Sequence, residues 1–267
     1  MSRSTLQMAG TGPVSMLTGP VVGSQRWHDL LFLHWRMAAS TVQSKLPPGL
    51  FVDTFDGDAW VGIVPFAMAR VRPRWLPPLP GLSWFLELNV RTYVRDAEGV
   101  PGVWFHSLDC NQPIAVEIAR RLFHLPYMHA RMQARRTADT LTYRSQRRAA
   151  PDAAWEYAWR THGPGQPATN GTLEHFLVER YALYCADVRQ RLYRGYVAHA
   201  PYRIHVPTVD RYDTGPAVLA GYELPGAPAS VLAAEPVHVA IHSLRRISPQ
   251  RYWNDGRSGD AYRNRNR

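Results

Sequence analysis

The sequence predicts a β-rich α+β fold, and three observations carry that expectation. Residues 85–95 (FLELNVRTYVR) alternate apolar and polar side chains along their length, the period of a strand. Asp56-Gly57 sits between two apolar runs, and Asp-Gly tolerates the positive φ angles of a two-residue hairpin turn. Clear helical signals occur in only two segments, one at 113–123 and one starting at Thr172.

Taken in order, Leu30–Met37 (LLFLHWRM) is a bounded apolar run that suits a buried strand, a pattern that a buried helix segment shares. Residues 40–46 read as a short helix capped by Ser40 and stopped by Pro47-Pro48-Gly49. Residues 51–55 and 59–66 are the expected arms of the Asp56-Gly57 hairpin. Residues 72–81 (RPRWLPPLPG) lack the amide hydrogens a central strand needs and read as a loop or lid. In residues 85–95, Leu86, Leu88, Val90, Thr92 and Val94 face one way and Glu87, Asn89, Arg91 and Tyr93 the other. Residues 103–108 form the expected partner strand across a turn at Glu98-Gly99. In the helix at 113–123, Asn111 is the expected cap, Pro113 suits the first turn, and Ile114, Ala115, Ile118 and Leu122 form an apolar stripe. Strand-like stretches surround Arg131, Tyr143 and Trp155. A second helix begins at Thr172 and runs over residues 172–181 (TLEHFLVERY), with Glu174 in its first turn, and short apolar runs continue to 237–242. No repeat or linker divides the 267 residues. One domain is expected over residues 25–255, between a flexible tail at 1–24 and a basic tail at 256–267. The first segment holds no continuous apolar stretch of the signal-peptide kind.

A composition of 45% hydrophobic and 19% charged residues excludes a disordered chain, a coiled coil and a collagen-like fibre. The net charge is +10, and of 31 basic residues only Lys45 is a lysine. Arg120, Arg121, Arg131, Arg135, Arg136, Arg144, Arg147 and Arg148 make the densest basic stretch. No zinc-finger or helix-turn-helix pattern accompanies it, so nucleic acid is not the expected partner. Cys110 and Cys185 are too few for a disulfide framework or zinc site, and they suit a reducing cytoplasm, the expected compartment. No apolar run reaches the roughly 18 residues of a membrane span, so no membrane partner is expected.

The polar face Glu87, Asn89, Arg91 and Tyr93 is the strongest candidate site. Buried, such a cluster must be hydrogen-bonded and its pKa values move; exposed, it is an ordinary solvated sheet face. Arg36 is a charge within an apolar run, suited to a substrate carboxylate or to a structural ion pair. Ser107 and Asp109 follow the apolar residues 103–105 and either share their interior face, as candidates for substrate binding, or are two solvated residues at a strand end. No His-Glu-x-x-His, Gly-x-Ser-x-Gly, Walker loop or dinucleotide fingerprint is present, and neither a metal nor a cofactor is expected.

Several segments together resemble a known family. They are His34-Trp35-Arg36, Leu46-Pro47-Pro48-Gly49-Leu50, residues 53–57 (DTFDG), residues 87–94 (ELNVRTYV), residues 102–105 (GVWF), Ala119-Arg120 and Leu125-Pro126-Tyr127, with a weaker echo at 175–181. In these the chain resembles the YqjF-like family of uncharacterised bacterial proteins, which is distantly similar to acetoacetate decarboxylase. The resemblance implies an antiparallel β-barrel with a few flanking helices around an internal pocket. That decarboxylase forms a Schiff base from a lysine in a Pro-Lys-Lys run, where this chain has Pro126-Tyr127-Met128. The pocket is therefore expected without the Schiff-base mechanism. Tyr127 is then the acid or hydrogen-bond donor, Glu87 the general base, and Arg36 or Arg91 the anchor for a small organic anion. Asn89, Tyr93, Ser107 and Asp109 complete the substrate-binding set. A non-catalytic ligand-binding barrel and a polyanion-binding protein are the alternatives, and self-association into a homo-oligomer is left open.

Overall fold

The computed structural model describes residues 19–248. Its strands and helices run β1 (Val21–His28), β2 (Leu30–Met37), α1 (Ala39–Gln43), β3 (Leu50–Val52), β4 (Ala59–Pro73), β5 (Phe85–Asp96) and β6 (Pro101–Cys110). Then follow α2 (Pro113–Phe123), β7 (Tyr127–Thr137), β8 (Thr140–Arg147), β9 (Ala154–Arg160), β10 (Gln166–Pro167), α3 (Leu173–Val178), β11 (Ala182–Ala186) and β12 (Leu192–Ala198). The last are β13 (Arg203–His205), β14 (Thr208–Arg211), α4 (Gly215–Leu219), β15 (Ser230–Ala234), β16 (Val237–His242) and β17 (Arg245–Arg246). The expected C-terminal tail at 256–267 lies outside the described residues. Strand β1 starts at Val21, inside the stretch expected as an N-terminal tail.

Asp56 (φ 50°) and Gly57 (φ 85°) form the two-residue turn, closed by the Phe55–Asp58 bridge. The arms separate beyond it. β3 pairs with the far end of β5 (Leu50 opposite Asp96), and β4 pairs with the rest of the same strand, from Thr92 back to Phe85. β4 also runs on to Pro73, seven residues past the expected end at 66. Its first half pairs with β2 and its second half with β1. Pro65 is tolerated because β2 contributes no partner beyond Ile63 and β1 none before Ala67. The missing amide hydrogen falls where the two neighbours hand over, at Asp29.

Hydrogen-bonded neighbours lead from β4 through β5, β6, β11, β12, β16 and β1 back to β4, a circuit without a free edge. The sheet is mixed and not purely antiparallel, because β6 runs parallel to both β7 and β11. Parallel neighbours need a crossover, and α2 supplies the one between β6 and β7. From the circuit, β7, β8, β9 and β14 branch off as an antiparallel layer.

Both faces of β2, β4 and β5 are buried. Leu30, Phe32, Trp60, Val64, Phe66, Phe85 and Tyr93 join one apolar cluster. The alternate residues Leu31, Leu33, Trp35, Val61, Ile63, Leu88 and Val90 join a second, with Met132, Leu141, Tyr143, Trp155, Tyr157 and Trp159 of β7–β9. The apolar face of β5 is thus covered mainly by a second layer of strands. The helices are short and peripheral. α2 is capped by Gln112 Oε1, which accepts from the Ile114 amide, while Asn111 Oδ1 accepts from the Leu86 amide. It buries Val116 and packs Ala115 and Ala119 inward, so the stripe Ile114, Ile118, Leu122 points outward. Only the small residues fit against the sheet there. α3 begins one residue after the expected start, because Thr172 is its cap, with Oγ1 accepting from the His175 amide, and it ends at Val178, short of the expected run to residue 181.

Candidate functional site

Alternation on β5 places Glu87, Asn89, Arg91 and Tyr93 on the face that meets the first cluster, where a solvated sheet face was the competing expectation. Glu87, Asn89 and Tyr93 are buried. The Tyr127 hydroxyl, at the first residue of β7, donates to Glu87 Oε2 at 2.5 Å. Asn89 hydrogen-bonds the same carboxyl. Burial outweighs both bonds and, with Asp109 nearby, raises the Glu87 pKa to about 7. The same burial, reinforced by the Glu87 charge, holds Tyr127 well above the usual phenol range.

A second group lies further along the face. Tyr93 donates to the Leu177 carbonyl at 2.8 Å, and Arg91 Nη2 donates to the same carbonyl at 3.2 Å and to the Tyr93 hydroxyl at 3.3 Å. Because the Tyr93 proton goes to Leu177, His34 Nε2, 2.7 Å from the same hydroxyl, is the donor to it. Burial, reinforced by the Arg91 charge, holds His34 well below its usual pKa and keeps it neutral. Gly62 of β4 lies between His34 and Arg91, and a Cβ there would stand 2.9 Å from His34 Cδ2. The ring of His34 fills that gap. Arg180, paired with Asp53 at 2.7 Å, stacks on Phe176 and Tyr93 and fixes the tyrosine from the α3 side. Asp53 also takes Arg95 at 2.7 Å.

Three atoms of this strip are buried without a hydrogen-bond partner: His34 Nδ1, Asn89 Oδ1 and Arg91 Nε. Arg91 also has no carboxylate partner among the described residues, and its guanidinium lies over Phe32 and Tyr93. Buried polar atoms are normally satisfied, so this strip has unused capacity for a polar guest.

The other expected site residues lie elsewhere. Arg36 follows His34 on the same strand face, but the ladder to β4 ends at Met37, and its side chain is 63% exposed, over Trp60 and 3.6 Å from Asp58. Ser107 and Asp109 do not share the face of residues 103 and 105. His106 is an extra residue in β6 (Val90 opposes Ser107, and Arg91 opposes Phe105), so the alternation changes phase. Leu108 and Cys110 therefore join Glu87, while Asp109 points into the second layer and pairs with Arg147 at 2.7 Å. Lys45 is exposed, with its ammonium over Tyr222. Much of the arginine-rich stretch is engaged in ion pairs: Arg120 and Arg121 with Glu117, Arg136 with Asp29, Arg144 with Glu156. Among the described residues no group of side chains suits a metal ion.

His34 and Gly62 are the residues that sequence reasoning passed over. A glycine inside an apolar strand was the available signal, since it marks a close approach by something else. The Leu177 carbonyl carries no signal of this kind, being backbone.

Known proteins resemble this chain at two levels, in sequence and in fold. Uncharacterized protein YqjF of Bacillus subtilis (strain 168) is 38% identical over 189 residues, which span 71% of this chain and 77% of that protein. Among solved structures, the enduracididine biosynthesis enzyme MppR complexed with pyruvate superposes with a TM-score of 0.60 at 16% identity, covering 90% of this chain and 95% of that one. Acetoacetate decarboxylase from Legionella pneumophila gives 0.60 at 12% identity, covering 93% and 98%. These two likenesses establish an acetoacetate-decarboxylase-like fold. The family model described as an uncharacterised conserved protein, DUF2071, matches residues 24–238, and the chain belongs to that family.

Proposed function

We propose that the edgeless strand circuit is a β-barrel whose interior binds a small organic molecule bearing a carboxylate or carbonyl group. Glu87 moves a proton to or from that molecule. The observation that carries this reading is the buried Glu87–Tyr127 hydrogen bond with a carboxyl pKa of about 7. A general acid or base is most effective when its pKa lies near the working pH. Tyr127, whose phenol keeps its proton, is the hydrogen-bond donor, either to Glu87 or to a carbonyl oxygen that displaces it. Arg91, without a carboxylate partner, is the anion anchor. Asn89 lies between the two on β5, where four residues span about 13 Å, and Tyr93 flanks Arg91 on the far side. Arg36, Ser107 and Asp109 have no role in this reading.

The mechanism needs no lysine. Lys45 is exposed on α1's C-terminal side and packs on Tyr222, away from Glu87's cluster. Pyruvate, bound by MppR, belongs to the ligand class proposed here.

The test is a thermal-shift panel of small carboxylic and oxo acids, pyruvate included, on the parent, Glu87→Gln and Arg91→Gln. A member of the panel is expected to raise the parent Tm and to lose that effect in Arg91→Gln. Proton exchange or conversion of that ligand, followed by NMR, is expected in the parent and absent in Glu87→Gln. Stabilisation that Arg91→Gln leaves intact overturns the anchor. Binding by the parent with neither exchange nor conversion reassigns the protein to ligand binding alone.

A further inference from the structure

The connection from β4 to β5 is braced by hydrogen bonds yet turns its apolar side chains outward. The Leu79 amide donates to Ser83 Oγ at 2.9 Å, the Leu82 and Ser83 amides donate to the Leu79 carbonyl, and Ser83 is buried. On this frame Trp75 is 76% exposed and Trp84 49%, and Leu76, Leu79 and Leu82 are exposed with them. Gln112 Nε2 donates to the Gly81 carbonyl at 2.5 Å, which ties the start of α2 to the loop. α2 then presents Ile114, Ile118 and Leu122, the last 67% exposed, at successive turns. Scattered exposed apolar residues need no explanation, but a cluster on two tethered elements marks a contact surface.

Its rim is basic. Arg70, Arg72 and Arg74 lead into the loop without a carboxylate partner among the described residues, and residues 59–86 contain no aspartate or glutamate. Arg72 Nη1 donates to the Leu76 carbonyl, holding the charge beside the apolar side chains.

We propose that this surface docks on an anionic lipid bilayer, with Trp75, Trp84 and the leucines at the boundary between headgroups and hydrocarbon and the three arginines on lipid phosphates. Tryptophan suits that boundary, being apolar in its body and polar at one edge. A basic rim of this kind is complementary to an anionic leaflet. It is not complementary to itself: a two-fold contact with a second copy would set the arginines of one rim beside the same patch on another chain of net charge +10. Among the described residues no helix is long and apolar enough to cross a membrane, and this docking needs no crossing.

The test is sedimentation of the full chain with phosphatidylcholine vesicles, with and without phosphatidylglycerol. Binding is expected only with phosphatidylglycerol and is expected to weaken as salt rises. Trp75→Ser/Trp84→Ser is expected to lower vesicle affinity by roughly tenfold or more, and Arg72→Gln/Arg74→Gln to do so independently by about tenfold or more. Both pairs are at the surface, and circular dichroism with the Tm verifies that each variant is folded. Absence of binding to the anionic vesicles overturns the proposal. So does a parent dimer, seen by light scattering, that the tryptophan variant converts to monomer, because the surface then belongs to a second copy.

Discussion

Glu87 keeps its proton to about pH 7 in the folded protein, against an ordinary value of 4.5. Between those two pH values the folded state holds a proton that the unfolded chain has released, so stability falls as pH rises through the window and levels off above it. The expected size of that loss is about 3 kcal/mol. Urea unfolding of the parent and of Glu87→Gln at pH 5 and pH 8 measures it as the difference between their two pH responses, because the buried histidines, which titrate with the opposite sign in the same window, are common to both. His106 has the opposite sign: burial, with Lys45 nearby, lowers its pKa from 6.5 to about 4, so its contribution is lost as pH falls through that range. The acid-side loss should therefore remain in Glu87→Gln. At this scale the sequence was readable where alternation was unbroken. Glu87 comes from the alternation of β5 and Tyr127 from the family resemblance, which expects them in one pocket, and they meet at 2.5 Å. Arg36 was misplaced because exposure at a strand end depends on where the partner strand stops. Ser107 and Asp109 were misplaced because one extra residue in β6 reverses every side chain after it.

Strand β4 shows how an element shapes the site without contributing a functional side chain. Gly62 leaves the space that the His34 ring occupies, and a Cβ there would be 2.9 Å from Cδ2 and 3.1 Å from Nε2. The ring is fully buried and cannot swing into solvent. Gly62→Val should cost about 1–3 kcal/mol by overpacking, measured as a lower urea midpoint. It should also weaken ligand binding if His34 and Arg91 act together. The extents of β2, β16 and α2 were legible to the residue because apolar runs and proline or glycine boundaries delimit them. The partner of β3, the outward turn of α2 and the parallel neighbours of β6 were not. Each depends on which distant segment arrives to pair or pack, and local periodicity holds no record of that.

Across the molecule, the two strand layers are joined by polar groups as well as by apolar packing. Arg147 of β8 reaches Asp109 of β6, and the Tyr143 hydroxyl donates to the backbone carbonyl of Glu87 at 2.8 Å. Arg147→Met should destabilise by about 3–5 kcal/mol, since it leaves a carboxyl buried without its cation. The double variant Asp109→Met/Arg147→Met should lose much less, and comparing chemical denaturation of the two separates the pair's cost from its role. The order of assembly follows from the circuit. β1 and β12 both pair with β16, so the ring cannot close until residues 237–242 have been made. At translation rates of about 5–20 residues per second, β1 waits roughly 10–40 s on the ribosome for that partner. Throughout that interval the nascent chain carries an open strand edge.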